Sequence, residues 1–195
     1  MDLAIVGAGC IGRRIAQAVH EHELDYRLAA VCDIDADAAD RLMTDYAPLS
    51  RRAELRDAAE ACDVLVECAA GSVVHEVLAA ARDSHGDVGR PGHVLVMSVG
   101  GLLGAPLEQA GPVIHVPSGA LGGLDAVAAM AVAGLDEVTL TTRKPPQSLG
   151  LDVTEETVLF EGPACDVIEQ YPKNVNVAIA LSPVSYTHLR AHETK

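Results

Sequence analysis

The stretch Leu3-Ala4-Ile5-Val6-Gly7-Ala8-Gly9-Cys10-Ile11-Gly12 decides the fold. Its opening Leu-Ala-Ile-Val is apolar without alternation, the pattern of a strand covered on both faces. From Ile11 to His20 the spacing predicts a helix, with Ile11, Ile15, Ala18 and Val19 on one face. Between strand and helix lies Gly-x-Gly-x-x-Gly, which alone occurs in many unrelated proteins and gains weight only from that context. Gly7 permits a tight turn, Gly9 lets the backbone approach a pyrophosphate, and Gly12 lets the helix pack close to the strand. The helix start adds free N–H groups and a partial positive charge. Cys10 and Ile11 sit inside this turn and are assigned to the same contact.

Working outward, the chain alternates strands and helices. Leu28 to Cys32 reads as a second strand, and Asp35 is placed to cap a helix running through Leu42 and Met43. A short helix is expected from Ala53 to Ala61 and a strand at Val64-Leu65-Val66. Ser72 is a candidate cap for a helix from Val73 to about Arg82, and Val94 to Met97 is the next strand. The polar, glycine-bearing stretch Asp83 to Gly92 reads as a surface loop. Parallel strands need crossovers and helices supply them, so the expected fold class is α/β, a doubly wound parallel sheet.

Asp33 ends the second strand, 21 positions after Gly12. A carboxylate there accepts from both hydroxyls of an adenosine ribose and repels a 2′-phosphate, so NAD is favoured over NADP as the cofactor. Arg13 and Arg14 soften that preference if they reach the ribose edge. Ala69, in the run Glu67-Cys68-Ala69-Ala70-Gly71 after the strand Val64-Leu65-Val66, is a further cofactor-lining candidate, since such loops border the crevice. A purely structural role for that turn is equally compatible. His75, one helical turn on, reads as a surface or packing histidine.

Composition bounds the rest. The 195 residues are 49% hydrophobic and 22% charged, ordinary for a globular protein. Aromatics are 3%, with no Trp and one Phe, so the core must be Ala, Val, Leu and Ile. A net charge of −14 repels nucleic acid and anionic membrane, and neither is expected as a partner. Cys10, Cys32, Cys62, Cys68 and Cys165 form no CxxC pair and read as free thiols in a reducing compartment, with no metal site expected. No signal peptide opens the chain and no uncharged apolar run approaches about 18 residues, so a cytoplasmic location is expected.

The second half has a different texture. A first domain over 1–112 and a smaller α+β domain over 113–182 are expected. The latter has strands at Val113 to Val116, Glu137 to Thr142 and Thr157 to Phe160, and helices from Leu121 to Ala133 and opening at Asn176 to Leu181. In the run from His115 to Asp125, Ser118, Gly119 and Ala120 can expose N–H groups at a helix start, which suits a carboxylate or carboxamide. Thr141-Thr142-Arg143-Lys144 combines hydroxyls with two cations, a set that suits a dicarboxylate and equally a solvated turn. His115 reads as a strand histidine rather than a base.

Taken together, the runs Pro117 to Asp125, Thr141 to Pro146, Leu159 to Ala164, Tyr171 to Ala178 (YPKNVNVA) and Met97 to Leu102, with the glycine turn, resemble the L-aspartate dehydrogenase family over about residues 1 to 182. The resemblance implies NAD- or NADP-dependent oxidation of L-aspartate to iminoaspartate. The imine then hydrolyses to oxaloacetate and ammonia or feeds NAD biosynthesis. It implies a homodimer, and places Ala120, Asn174 and Asn176 at the nicotinamide half of the cofactor. Ser118, Thr141, Thr142 and Lys144 become the candidate substrate anchors. The family's catalytic histidine lies downstream of the KNVN segment, on sequence this chain does not contain. Residues 183–195 read as a non-native tail, so His188 and His192 inherit no role. Two alternatives stay open: an oxidoreductase related to homoserine dehydrogenase or dihydrodipicolinate reductase, and a non-catalytic NAD-binding module.

Overall fold

The computed structural model describes residues 1–107, 109–119, 122–143, 145–149, 151–152 and 156–162. The chain divides into two compact units, Met1–Gly119 and Ala120–Lys195.

The first unit is built on six strands: β1 (Asp2–Val6), β2 (Arg27–Cys32), β3 (Arg51–Arg52), β4 (Val64–Glu67), β5 (His93–Val96) and β6 (Val113–His115). All pairings are parallel, in the order β3-β2-β1-β4-β5-β6. That order reverses at β1, and open α/β sheets bind ligands beside the carboxyl ends of the strands where the order reverses. The helices α1 (Cys10–His20), α2 (Ala36–Tyr46), α3 (Leu55–Glu60) and α4 (Val74–Val88) supply the crossovers. The doubly wound sheet expected from the strand–helix alternation is the architecture present.

The apolar runs become strands because both faces are covered. Leu3, Ala4, Ile5 and Val6 are all buried, as are Leu28, Ala30 and Val31 on β2. Leu42 of α2 and Ala16 of α1 join Ile5, Val31 and Val66 in one cluster. Each Val, Leu or Ile so buried contributes about 1.5–3 kcal/mol. Alanine at the helix contacts lets helix and sheet approach closely without aromatic filling. Asp35 caps α2 as expected, accepting from Asp37 and Ala38 N–H.

Several expectations need correction. α4 runs to Val88, through much of the stretch read as a loop from Asp83. Its buried stripe is Val74, Val77, Leu78, Ala81 and Ser84. The last of these is polar, so an apolar count ends the helix too early. The helix stops on Gly89, at φ 73°, whose N–H donates to the His85 carbonyl. Ser72 does not cap α4: it lies in a 3-10 turn, Gly71–Val73, and the helix starts from Val73 without a side-chain cap. Ile11 is 45% exposed rather than part of the buried face of α1, which is carried by Gly12, Ala16 and Ala18. β6, read as the opening of the second domain, pairs with β5 through Val94 and Ile114 and completes the first sheet.

In the second unit α5 (Leu124–Ala133) accounts for most of the helix read from 121 to 133 and ends on Gly134, at φ 99°. Glu137 to Thr142 and Thr157 to Phe160 are not strands. β-branched alternation marks residues that suit a strand, but a strand exists only when an edge pairs with it, and among the described residues of this unit none does. The helix expected to open at Asn176 lies outside the described residues.

Candidate dinucleotide-binding site

β1 delivers the chain to Gly7 at the carboxyl edge of the sheet. The Gly7 N–H donates to the Cys32 carbonyl at 2.8 Å, which ties the turn to β2. Gly7 has φ +106°, and a Cβ on it would stand 2.7 Å from the backbone of Ala69. A Cβ on Gly12 would overlap the Gly7 carbonyl oxygen. Both glycines are therefore demanded by the protein's own packing. Gly9 is not: its φ is −72°, and a Cβ there would meet nothing within 4 Å. The open space over Gly9 is the clearance that a closely approaching pyrophosphate requires, so this turn fits the dinucleotide that its pattern implies.

Gly9 is also the N-cap of α1, with no side-chain cap and no acidic residue in the first turn. The first intrahelical bond runs from Arg13 N–H to the Gly9 carbonyl at 2.9 Å. The helix start thus presents N–H groups and a positive dipole end to an anion. Cys10 and Ile11 are both exposed at this helix start.

Asp33 lies just past β2, across the turn. Its Oδ2 accepts from Ala8 N–H at 2.5 Å and its Oδ1 from Asp35 N–H at 2.8 Å. A carboxylate has about four lone-pair positions, so each oxygen keeps one for a ribose hydroxyl while the backbone bonds fix its orientation. Arg13 and Arg14 do not crowd this carboxylate. Arg13 Nη2 reaches Asp45 at 2.6 Å with its guanidinium over the Tyr46 ring, and Arg14 Nη2 reaches Glu23 at 2.7 Å. Ile34, overlooked in the sequence, projects fully into solvent beside Asp33. An apolar residue just past an acid-ended strand, with nothing of its own to pack on, is the signal that could have found it.

On the other side of β1, Ala69 is exposed at the crevice lip and pressed against Gly7. Its N–H donates to Oε1 of Glu67 at 2.9 Å. Glu67 is fully buried, and its Oε2 accepts from Ser98 N–H at 2.9 Å. Sequence reasoning noticed the run but missed that its acid is the part aimed inward.

The thiols separate by burial. Burial pushes the Cys62 and Cys68 thiols up to about 12, while Cys10 is exposed. Cys68 sits directly beneath the turn, its Sγ 3.2 Å from the Gly7 carbonyl oxygen. Reactivity requires thiolate. With a disulfide reagent at pH 8 and peptide mapping, Cys10 is expected to react quickly and to be slowed by NADH. Cys62 and Cys68 are expected to react only on unfolding. Labelling of Cys68 in the folded protein would contradict this burial. The stability gained from keeping these thiols protonated is full below their ordinary value of 9.0 and lost as pH rises toward about 12.

The candidate substrate residues are placed less completely. Ser118 is exposed just before Gly119, which is at φ 62°, and Thr141 and Thr142 are exposed. Arg143 Nε pairs with Glu156 at 2.9 Å, both in solvent. Lys144, Ala120, Asn174 and Asn176 lie outside the described residues. His115 hydrogen-bonds His93 on the neighbouring strand, ring nitrogen to ring nitrogen at 3.0 Å, and His75 Nε2 lies 3.1 Å from the Leu103 carbonyl oxygen. His115 is thus a strand histidine and His75 a surface one, as read, each with a protein partner.

Comparison with known proteins agrees with this geometry. Residues 7–110 match a family described as homoserine dehydrogenase, NAD binding domain, and residues 125–191 match aspartate dehydrogenase, C-terminal. An L-aspartate dehydrogenase of Methanocella arvoryzae is 38% identical over 202 residues, spanning 93% of this chain and 73% of that protein. One from Methanopyrus kandleri is 39% identical over 194 residues, spanning 93% and 71%. The crystal structure of aspartate dehydrogenase from Thermotoga maritima superposes with a TM-score of 0.66 at 26% identity, covering 95% of this chain and 74% of that one.

Proposed function

The chain belongs to the L-aspartate dehydrogenase family, and from that premise we propose that it oxidises L-aspartate to iminoaspartate with NAD(P) as hydride acceptor. One Cα–H leaves as hydride and the amino group gives up a proton. The imine then takes up water to release oxaloacetate and ammonia, or supplies NAD biosynthesis. The observation that carries the reading is the open turn over Gly9 set beside the oriented carboxylate of Asp33.

Each residue then has a task. Backbone N–H groups of Cys10, Ile11 and Gly12 hold the pyrophosphate at the start of α1. Asp33 takes the adenosine ribose, and its charge favours NAD over NADP. Ala69 lines the crevice where it abuts Gly7. The bound cofactor supplies the acceptor for the hydride. Ala120, Asn174 and Asn176 orient its nicotinamide half. Ser118, Thr141, Thr142 and Lys144 anchor the two substrate carboxylates, so substrate falls to residues that follow β6, and the adenosine and pyrophosphate to the sheet that β6 completes. The free thiols fit a cytoplasmic enzyme, and the family resemblance supports a homodimer.

Losing a charge-assisted hydrogen bond costs about 1.5–3 kcal/mol. Lys144→Met in the full-length protein is therefore expected to raise the aspartate KM roughly tenfold or more while the Kd for NADH stays unchanged. An unchanged KM would remove Lys144 from the substrate site. Ammonia and oxaloacetate forming in equal amounts with NADH would test the product assignment. NADH without ammonia would refute it.

A further inference from the structure

Glu67 is the one charged side chain that is fully buried among the described residues. Among the described residues no cation partners it. Its two oxygens instead accept one backbone N–H each from two different crossovers, Ala69 after β4 and Ser98 after β5, both at 2.9 Å. A carboxylate is acceptor-only at both oxygens, so it can bridge two N–H groups where a neutral amide cannot. Buried acceptors and donors left without partners are costly, which binds both loops to this one side chain.

The same two loops meet again. Gly71 and Gly101 pass so closely that a Cβ on Gly101 would overlap the Gly71 carbonyl oxygen. His75, at the start of α4, lies 3.1 Å from the Leu103 carbonyl oxygen, just past the second loop. Ala69 in turn backs the Gly7 turn. Glu67 therefore sits at the root of a wall made of 69–71 and 98–101. The sheet order places that wall on the side of β1 away from β2 and Asp33. A dinucleotide whose adenosine ribose lies at Asp33 and whose pyrophosphate lies over Gly9 must send its other half toward this wall.

We propose that Glu67 is a positioning residue that sets the two crossover loops as one surface for the nicotinamide half of the cofactor, and that it acts on that half selectively. The proposal rests on the reading of this crevice as a dinucleotide site. The sequence holds no apolar or glycine signal for it, because the role comes from two N–H groups that are 29 positions apart in the chain.

The test compares NADH with ADP, which carries the adenosine and pyrophosphate but no nicotinamide. Both are titrated into the wild-type chain, Glu67→Gln and Gly101→Ala. Gln puts an amide donor against one of the two N–H groups, and the alanine Cβ forces the loops apart without touching the acid. In each variant the Kd for NADH is expected to rise about tenfold, while that for ADP stays within about twofold. If Glu67→Gln does not fold, Gly101→Ala carries the same prediction. Equal loss of both ligands, or unchanged NADH binding, would overturn the proposal. A wild-type chain that binds neither ligand would reject the dinucleotide reading itself, and this inference with it.

Discussion

Gly12→Ala is expected to lower NADH affinity about a hundredfold and to reduce the melting temperature by roughly 4–8 °C. Alanine is the better helix former, and that alone would stabilise α1 by up to about 1 kcal/mol. Sterics outweigh it. The new Cβ would overlap the Gly7 carbonyl oxygen and stand 3.1 Å from its carbon and 3.2 Å from Ile5 Cγ2. The obstacle is backbone, so no rotamer change relieves it. Overpacking costs about 1–3 kcal/mol where side chains can adjust, and here the helix or the turn must move instead. Either movement displaces the N–H groups of Cys10 and Ile11 from the Gly9 opening. NADH titration and thermal melting read the two effects. Wild-type values for both would show that the turn and helix are not packed as described.

Asp33→Ala is expected to raise the Kd for NADH by about ten- to a hundredfold, since a hydrogen bond to a charged group contributes about 1.5–3 kcal/mol. The carboxylate accepts from Ala8 and Asp35 N–H, so its loss also frees the turn it braces. α2 should persist, because Asp35 and not Asp33 caps it. For NADPH the outcome differs: the lost bonds are offset by lost repulsion of the 2′-phosphate, so its Kd changes little. The ratio of the two dissociation constants is therefore the sharper readout. A ratio that does not move would place the ribose elsewhere. Arg13 and Arg14 pair with Asp45 and Glu23 rather than with Asp33, so the carboxylate is the group whose removal the ratio reads.

The first unit was legible because its signals are local. A four-residue apolar run, three glycines with fixed tasks and an acid at the end of the next strand are all read within 33 residues. What escaped depends on tertiary neighbours. Ser84 extends the buried stripe of α4, yet a serine adds nothing to an apolar period. β6 belongs to the first sheet because β5 offers it an edge, and no property of Val113-Ile114-His115 states which edge it will take. Ile11 sits at helical spacing from Ile15 but lies at the exposed start of α1, where no sheet covers it. Glu67 and Ile34 reverse the usual burial rule, an acid inside and an isoleucine outside, and both stand at the carboxyl edge of the sheet. At Glu137 to Thr142 the alternation named the right residues for a strand and supplied no partner for one. Substrate assignments there rest on the family motif, since composition alone also describes a solvated turn.

Absorbance at 340 nm after mixing the full-length gene product with L-aspartate and NAD reads the proposed oxidation itself, with D-aspartate and L-glutamate as controls. Steady NADH formation is expected with L-aspartate, far faster than with either control and strongly reduced by Gly12→Ala at low NAD. NADH binding with no turnover of L-aspartate would contradict it and leave a dinucleotide-binding protein with some other task.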